Sequence, residues 1–358
     1  MPYRFKINEP VEKGFRRIAR EQFDSSIAEL SGPTADPKGV HECRKSIKRL
    51  RALIRLAAAS IGAKKARRRT KALGEIGRLL SARRDQTVMF ETIQKLADEF
   101  PEAVAAFAPL KAALTARAGN QPERLDAETA DRARGLLGAE SKKIERLDFK
   151  HNGFAALAGG LETSYRKARK AITSAYDEPT DENFHELRKA VQWHWRQMAL
   201  LARAWPDEFA VRVNASRELS QWLGDDHDLA VLVVAVSAAP DMADEQKEAA
   251  ISICRRQQQV LRAKVEFRVK RLFSEKTRAF IKRAAVYWEH GRALDPLVDA
   301  PSLVQPVPQA AGAARAEANG RADERNDERG GEPDKSRAAS KPRLATKSVA
   351  SAPSQRRA

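Results

Sequence analysis

From about residue 10 to residue 289, apolar positions recur at intervals of three and four. That spacing places them on one face of an α-helix. Leucine and alanine supply most of them, and the alternating Val, Ile and Thr that would mark strands is almost missing. The interruptions fall where Pro or Gly collects: Ser31-Gly32-Pro33 through Gly39, Phe100-Pro101, Gly119-Asn120-Gln121-Pro122, Asn152-Gly153, Glu178-Pro179-Thr180, Trp205-Pro206 and Pro240-Asp241. Each is a point at which a helix stops or starts. The pattern predicts an all-α protein.

Two of these predicted helices open on the same words. One reads Val40-His41-Glu42-Cys43-Arg44-Lys45 and the other Phe184-His185-Glu186-Leu187-Arg188-Lys189, and Pro37 and Pro179 precede them with similar turn chemistry. A repeat half a chain apart points to two related modules. At 100° per residue, Arg44, Lys45, Lys48, Arg51 and Arg55 fall within about 80° of His41. Val40, Ile47, Leu50, Leu53 and Ile54 take the opposite side. From His185 the same projection gathers Arg188, Lys189, Gln192, Arg196 and Arg203 against Leu187, Val191, Met198 and Leu201. Each helix is therefore expected to bury one face and to offer a His-led basic face elsewhere. The helices before them add Arg16 with Arg20, and Tyr165, Arg166, Arg169 and Lys170.

After Trp288 the pattern stops. No Phe, Tyr or Trp follows, and Ala, Gly, Pro, Ser, Arg and Glu mix without period. Such a segment cannot bury enough apolar surface to offset its ordering entropy, so 291–358 is expected to be a disordered tail. The folded part is then 1–290, with halves of about 1–148 and 149–290. The 358 residues carry a net charge of +18. Residues 291–358 hold 12 Lys+Arg and 9 Asp+Glu, a net of +3, which leaves +15 to the helices. A fold this basic selects anionic partners.

Charge chemistry narrows further. A single basic stripe is the commonplace solvated face of a surface helix. Two in matching register, with few acidic residues at i,i+4 to compensate them, read as an anion surface. Arginine grips phosphate oxygens bidentately and lysine acts as a point charge, so a rank of them suits a repeating polyanion. Cys43 and Cys254 supply no disulfide or metal framework and fit a reducing, cytoplasmic setting. No stretch reaches the roughly 18 uncharged apolar residues of a membrane span. His41 and His185 lack a second ligand at metal spacing. Asp225-Asp226-His227-Asp228 is expected at a helix start, capping amides and pairing with basic helices rather than holding a metal. Trp193 and Trp195 project to different sides and are expected to pack. No catalytic constellation or Gly-rich phosphate loop appears, so neither an enzyme nor a cofactor is expected.

These segments resemble the CHAD domain, the conserved histidine α-helical domain, over about residues 10–290. His41-Glu42-Cys43-Arg44-Lys45 with Lys48-Arg49-Leu50-Arg51 is similar to its first signature, and Phe184 to Lys189 with Trp193-His194-Trp195 to its second. Leu80 through Asp85 and Leu223 through Leu229 resemble its two acidic junctions. The resemblance implies two helical bundles related by pseudo-two-fold symmetry around a basic cavity. It also implies non-catalytic binding of inorganic polyphosphate and association with polyphosphate granules. The expected polyphosphate ligands are Arg16, Arg20, His41, Arg44, Lys45, Lys48, Arg49, Arg51, Arg55, Tyr165, Arg166, Arg169, Lys170, His185, Arg188, Lys189 and Arg196. Ala190 and Gln192 stand where basic residues are common in the family and Arg196 where Tyr is common, so the first copy is expected to be the stronger. Nucleic acid is the second polyanion the same charge would accept, with Lys341 to Lys347 in the tail contributing. A metal-dependent phosphate regulator using His41, His185 and Asp225 to Asp228 is the third reading.

Overall fold

A computed structural model describes residues 3–31, 36–80, 84–118 and 125–298. The expected tail from 299 onward, including the run Lys341 to Lys347, lies outside the described residues, as do the junction residues 81–83. The chain forms α1 (Val11–Glu29), α2 (Pro37–Leu56), the short α3 (Ala58–Ile61), α4 (Ala63–Leu79), α5 (Arg84–Glu99), α6 (Ala103–Ala118) and α7 (Ala127–Glu145). Then come α8 (Ala155–Asp177), α9 (Asp181–Leu201), a 3-10 turn (Ala202–Ala204), α10 (Pro206–Ser237), α11 (Asp244–Leu272) and α12 (Thr277–Val298). No strand occurs among the described residues. The protein is all-α, as the periodicity predicts. The last helix runs to Val298, past the boundary expected at residue 290.

The signature helices start for legible reasons. Asp36 accepts a hydrogen bond from the Gly39 amide at 2.5 Å, and Pro37 sits where its missing N–H costs nothing. Thr180 caps α9 from the Asn183 amide at 3.2 Å, with Asp181 and Glu182 in the first turn facing the helix dipole. The apolar stripes go inward: Ile47, Leu50, Leu53 and Ile54 of α2 and Leu187, Val191, Met198 and Leu201 of α9 are buried.

Two apolar cores result, and they do not follow the sequence halves. The larger gathers α1, α2, α4, α7, α8, α9, α12, the start of α10 and the end of α11, around Phe15, Leu53, Leu137, Leu161, Leu187 and Trp288. The smaller packs α5 and α6 against the later half of α10 and the earlier half of α11, around Leu96, Phe107, Leu232 and Ile253. Thus α5 and α6 from the first half of the chain are covered by α10 and α11 from the second. Fully burying each Leu, Ile or Phe is worth about 1.5–3 kcal/mol, which is why both long helices are held at each end.

One close approach fixes α8 against the end of α2. A Cβ on Gly160 would stand 2.0 Å from the Leu56 carbonyl oxygen and 2.4 Å from that of Arg55. Only glycine fits there.

The segment Asp225 to Asp228 is not at a helix start. It lies inside α10, which is continuous for 32 residues because the apolar spacing Leu219, Leu223, Leu229, Leu232 passes through it unbroken.

Candidate functional site

α2 lies antiparallel to α4. Arg44 Nη1 donates to the Leu80 carbonyl at 3.1 Å, satisfying an orphan acceptor at the end of α4. Further along, the Arg51 guanidinium rests over Gly74, 3.7 Å from where a Cβ would sit. The C-terminal part of α2 also meets α9. Arg55 stacks on Trp193, its guanidinium carbon 4.2 Å from the ring centroid. Arg196 of α9 is 7% exposed and sits close enough to Arg49 and Arg51 to feel their charge. The N-terminal segment crosses both helices: Tyr3 Oη donates to the Arg49 carbonyl at 2.7 Å and the Phe5 amide to the Leu200 carbonyl at 3.0 Å.

The result is a cluster of guanidiniums with very little to neutralise it. Arg49 donates to Gln22 Oε1 at 3.3 Å, Arg55 to the Arg51 carbonyl at 3.4 Å and Arg196 to the Gln192 carbonyl at 2.9 Å. All three acceptors are neutral. Arg51 Nε is buried with no hydrogen-bond partner. Among the described residues no carboxylate lies in ion-pair range of Arg49, Arg51, Arg55 or Arg196. Burial, and then the charge of Arg51, lowers Arg55 to about 10. Burial brings Arg196 to about 10, the pull of Tyr3 being outweighed with the help of Arg49 and Arg51. Burial and Arg78 lower Arg51. All remain cationic at neutral pH, so the repulsion is stored in the fold.

The N-terminal end of α9 is built differently. His185 Nδ1 is 3.2 Å from His227 Nδ1 of α10. Burial and the cations Arg188 and Lys189 lower His185, while burial, Arg188 and His185 bring His227 to about 4. Arg188 packs over Gly224, 3.6 Å from where a Cβ would be. Just before His185, Asp181 takes Arg255 at 2.8 Å and Arg262 at 2.6 Å, and Arg262 reaches the buried Asp226 at 2.7 Å. The acidic segment inside α10 thus joins α9 to α11 by ion pairs. Asp225 faces outward to Lys95 at 3.2 Å. Among the described residues no three His, Cys, Asp or Glu side chains gather as metal ligands.

The other expected ligands are dispersed. His41 is exposed on the second turn of α2, and Lys48 is half-buried on the same face. Lys45 pairs with Glu42 at 3.1 Å and Lys189 pairs with Glu186, so the stripes carry i,i+3 compensation that the i,i+4 count overlooks. Arg16 pairs with Glu12 at 2.5 Å and Arg20 with Glu145 at 3.1 Å, toward α7. Arg166 lies 3.6 Å from Glu162. Lys170 is exposed on α8. Arg169 donates to the Glu275 carbonyl at 2.7 Å, tying α8 to the turn before α12. Tyr165 is wholly buried, stacked on Phe280 at 4.2 Å, with its hydroxyl also on the Glu275 carbonyl. Its apolar ring serves the core. Trp193 and Trp195 are half-buried, and Trp195 carries Arg196 at 4.4 Å on its ring.

Three contributors escape the comparison of repeats. Tyr3 sits far from either motif in sequence. His227 is hidden in an acidic run. A basic run opening α4, Lys64-Lys65-Ala66-Arg67-Arg68-Arg69, would have shown in a simple scan for charge density.

A sequence profile of the CHAD domain matches residues 17–237. The chain belongs to the CHAD domain family. Among solved structures, PptA from Streptomyces chartreusis is similar at 15% identity with a TM-score of 0.49, over 75% of this chain and 100% of PptA. No curated protein matches the sequence. Family membership is consistent with the polyphosphate-directed chemistry that the basic helices suggest. Among the described residues no helix is long and apolar enough to cross a membrane.

Proposed function

We propose that this CHAD-domain protein binds inorganic polyphosphate without cleaving it, at the junction of α2 and α9. The observation that carries the reading is the cluster Arg49, Arg51, Arg55 and Arg196, with no carboxylate in ion-pair range among the described residues. A desolvated cationic cluster of this kind is relieved by an anion, through charge-assisted bonds that arginine makes especially well. Lys48, Arg44 and His41 extend it along α2. From Arg44 to Arg55 the axial span is about 16 Å, a line of charge matched to a chain rather than to one phosphate. Arg188, Lys189 and His185 are the corresponding groups on α9. The same surface would bring the protein to polyphosphate granules in the cell, which co-localisation of a tagged protein would test.

Nucleic acid is the weaker reading because Trp193 and Trp195 already carry guanidiniums on a ring face. Base stacking needs that face.

Competition at fixed salt tests the proposal. Long-chain polyphosphate should displace a labelled long chain, orthophosphate should not, and DNA should require higher concentration. Affinity should fall log-linearly with salt, with a slope of about −0.7 per phosphate engaged, as for other single-stranded polyanions. Prolonged incubation should release no orthophosphate. Equal competition by orthophosphate would sink the extended site. A chain ending at residue 298 should bind as the full chain does.

A further inference from the structure

α4 bears a second charge stripe that the α2–α9 junction does not use. Arg69 turns inward and is held by both oxygens of Glu140 at 2.9 and 2.8 Å, both side chains buried. That contact, with Ala66, Leu73 and Ile76 buried, sets the rotation of the helix. At 100° per residue Arg67, Arg68, Lys71 and Arg78 then lie within about 60° of Lys64, on the outer side. All five are exposed. Glu75 alone breaks the stripe, 3.9 Å from Lys71 and 4.0 Å from Arg78. Among the described residues Lys64, Arg67 and Arg68 have no carboxylate in ion-pair range. α4 moreover starts at Gly62 without a side-chain cap and without an acidic residue in its first turn. Its cations crowd the positive end of the helix dipole, a mildly unfavourable arrangement that a bound anion relieves.

The stripe is continuous with the cluster. Arg78 is near enough to lower Arg51, and the Arg51 guanidinium lies over Gly74 at the edge of the same face. Arg51 Nε, buried and unpartnered, marks the join. From Lys64 to Arg78 the stripe is about 21 Å long.

We propose that the outer face of α4 continues the polyphosphate site. A chain seated on Arg51, Arg55 and Arg196 leaves the junction past Arg78 and runs along Lys71, Arg68, Arg67 and Lys64. This rests on the reading of the junction given above. It makes α4 the element that distinguishes long chains from short ones: a short chain fills the junction alone, and a long one gains the stripe as well.

The test replaces Lys64, Arg67, Arg68 and Lys71 with alanine in the full chain. A charge-matched control replaces the exposed Lys111, Arg132, Lys264 and Lys282. Circular dichroism and melting establish that both fold. Titration with tripolyphosphate and with long-chain polyphosphate at one salt concentration gives the readout. The α4 variant should lose about tenfold or more in long-chain affinity and keep tripolyphosphate affinity within about twofold, with a shallower salt dependence. The control should keep both. Unchanged long-chain binding by the α4 variant overturns the stripe while leaving the junction intact. Equal loss in the control assigns the effect to net charge and overturns it too. Wild-type protein that takes up neither anion overturns the junction and the stripe together.

Discussion

α2 and α9 begin with the same five-residue motif and come to opposite uses of it. In α2, among the described residues, Arg44 reaches the Leu80 carbonyl, Arg51 lies over Gly74 and Arg55 over the Trp193 indole, while Lys45 pairs with Glu42. In α9 the first turn, ahead of the motif, is tied to α11: Asp181 pairs with Arg255 and Arg262, and Arg262 also with Asp226 of α10, while the motif's His185 is half-buried against His227. α4 ends at Leu79 beside α2, whereas α10 runs on unbroken beside α9 and carries its acidic residues into the contact. Duplication of a motif duplicates the helix. Among the described residues it does not duplicate the electrostatics, which depend on what each helix packs against.

The largest expected effect on stability comes from breaking the anchored side. Asp226 is 2% exposed, and burial already raises its carboxyl against the pull of Arg262. Arg262→Met leaves a buried carboxylate without its hydrogen-bonded partner, a change worth about 3–5 kcal/mol of stability. Urea unfolding should show that loss, and a midpoint within error of wild type would mean the pairs are ornamental.

The α2 side should respond the other way round. Replacing Arg51, Arg55 and Arg196 with methionine removes charge-assisted contacts of about 1.5–3 kcal/mol each from polyphosphate binding. The apoprotein should melt no lower than wild type, because the substitutions also remove buried mutual repulsion. Weak binding together with a collapsed melting temperature would show that these arginines hold the fold instead.

Much of this fold was legible in the sequence, and the reason is local. The six Pro- and Gly-rich breaks that touch described residues coincide with helix ends, from the gap between Glu29 and Pro37 to that between Ser237 and Asp244, and the break at Gly119 to Pro122 lies outside the described residues. The buried faces of α2 and α9 follow from spacing alone. The sequence does not announce the break at Leu56 to Gly62, where Ala57 and Ala58 are good helix formers. It also misplaces Asp225 to Asp228, because three acidic residues look like a cap until the apolar register on either side is followed. The site was legible only in part. Partners such as the Glu145 carboxylate for Arg20, or the Glu275 backbone carbonyl for Arg169, are more than a hundred residues away in the chain. Whether a cation is free or neutralised is settled by such contacts, and no periodicity contains them.

Acid should separate the two helices next. His194 of α9 is wholly buried among Tyr165, Phe273 and Phe280, and burial with nearby Arg212 brings it to about 3. Its unfolded value is near 6.5, so the unfolded chain binds the extra proton first. Stability from this group is full above pH 6.5 and declines as pH falls toward 3, by about 2 kcal/mol at pH 5. His185 and His227 are also lowered and act in the same direction. Hydrogen exchange at pH 5 should therefore show α9 and α10 losing protection before α2 does. His194→Phe should remove part of the pH dependence, and an unchanged profile would exclude His194 as its source.

The smallest effect is the most even-handed test of the comparison. Lys45 pairs with Glu42 in α2 and Lys189 with Glu186 in α9, at the same place in each motif and with similar exposure. Exposed i,i+3 pairs contribute little to stability, below about 1 kcal/mol, so neither Lys45→Ala nor Lys189→Ala should shift urea unfolding appreciably. Binding should tell them apart. Lys45 lies within about 80° of Lys48 and Arg55 around α2, and its loss should weaken long-chain polyphosphate by a few-fold, most visibly at low salt. Lys189 stands beside the paired His185 and His227 and the anchored start of α9, and its loss should matter less. Equal losses would mean that both motifs face the same ligand equally, and that the asymmetry between the two helices ends at stability.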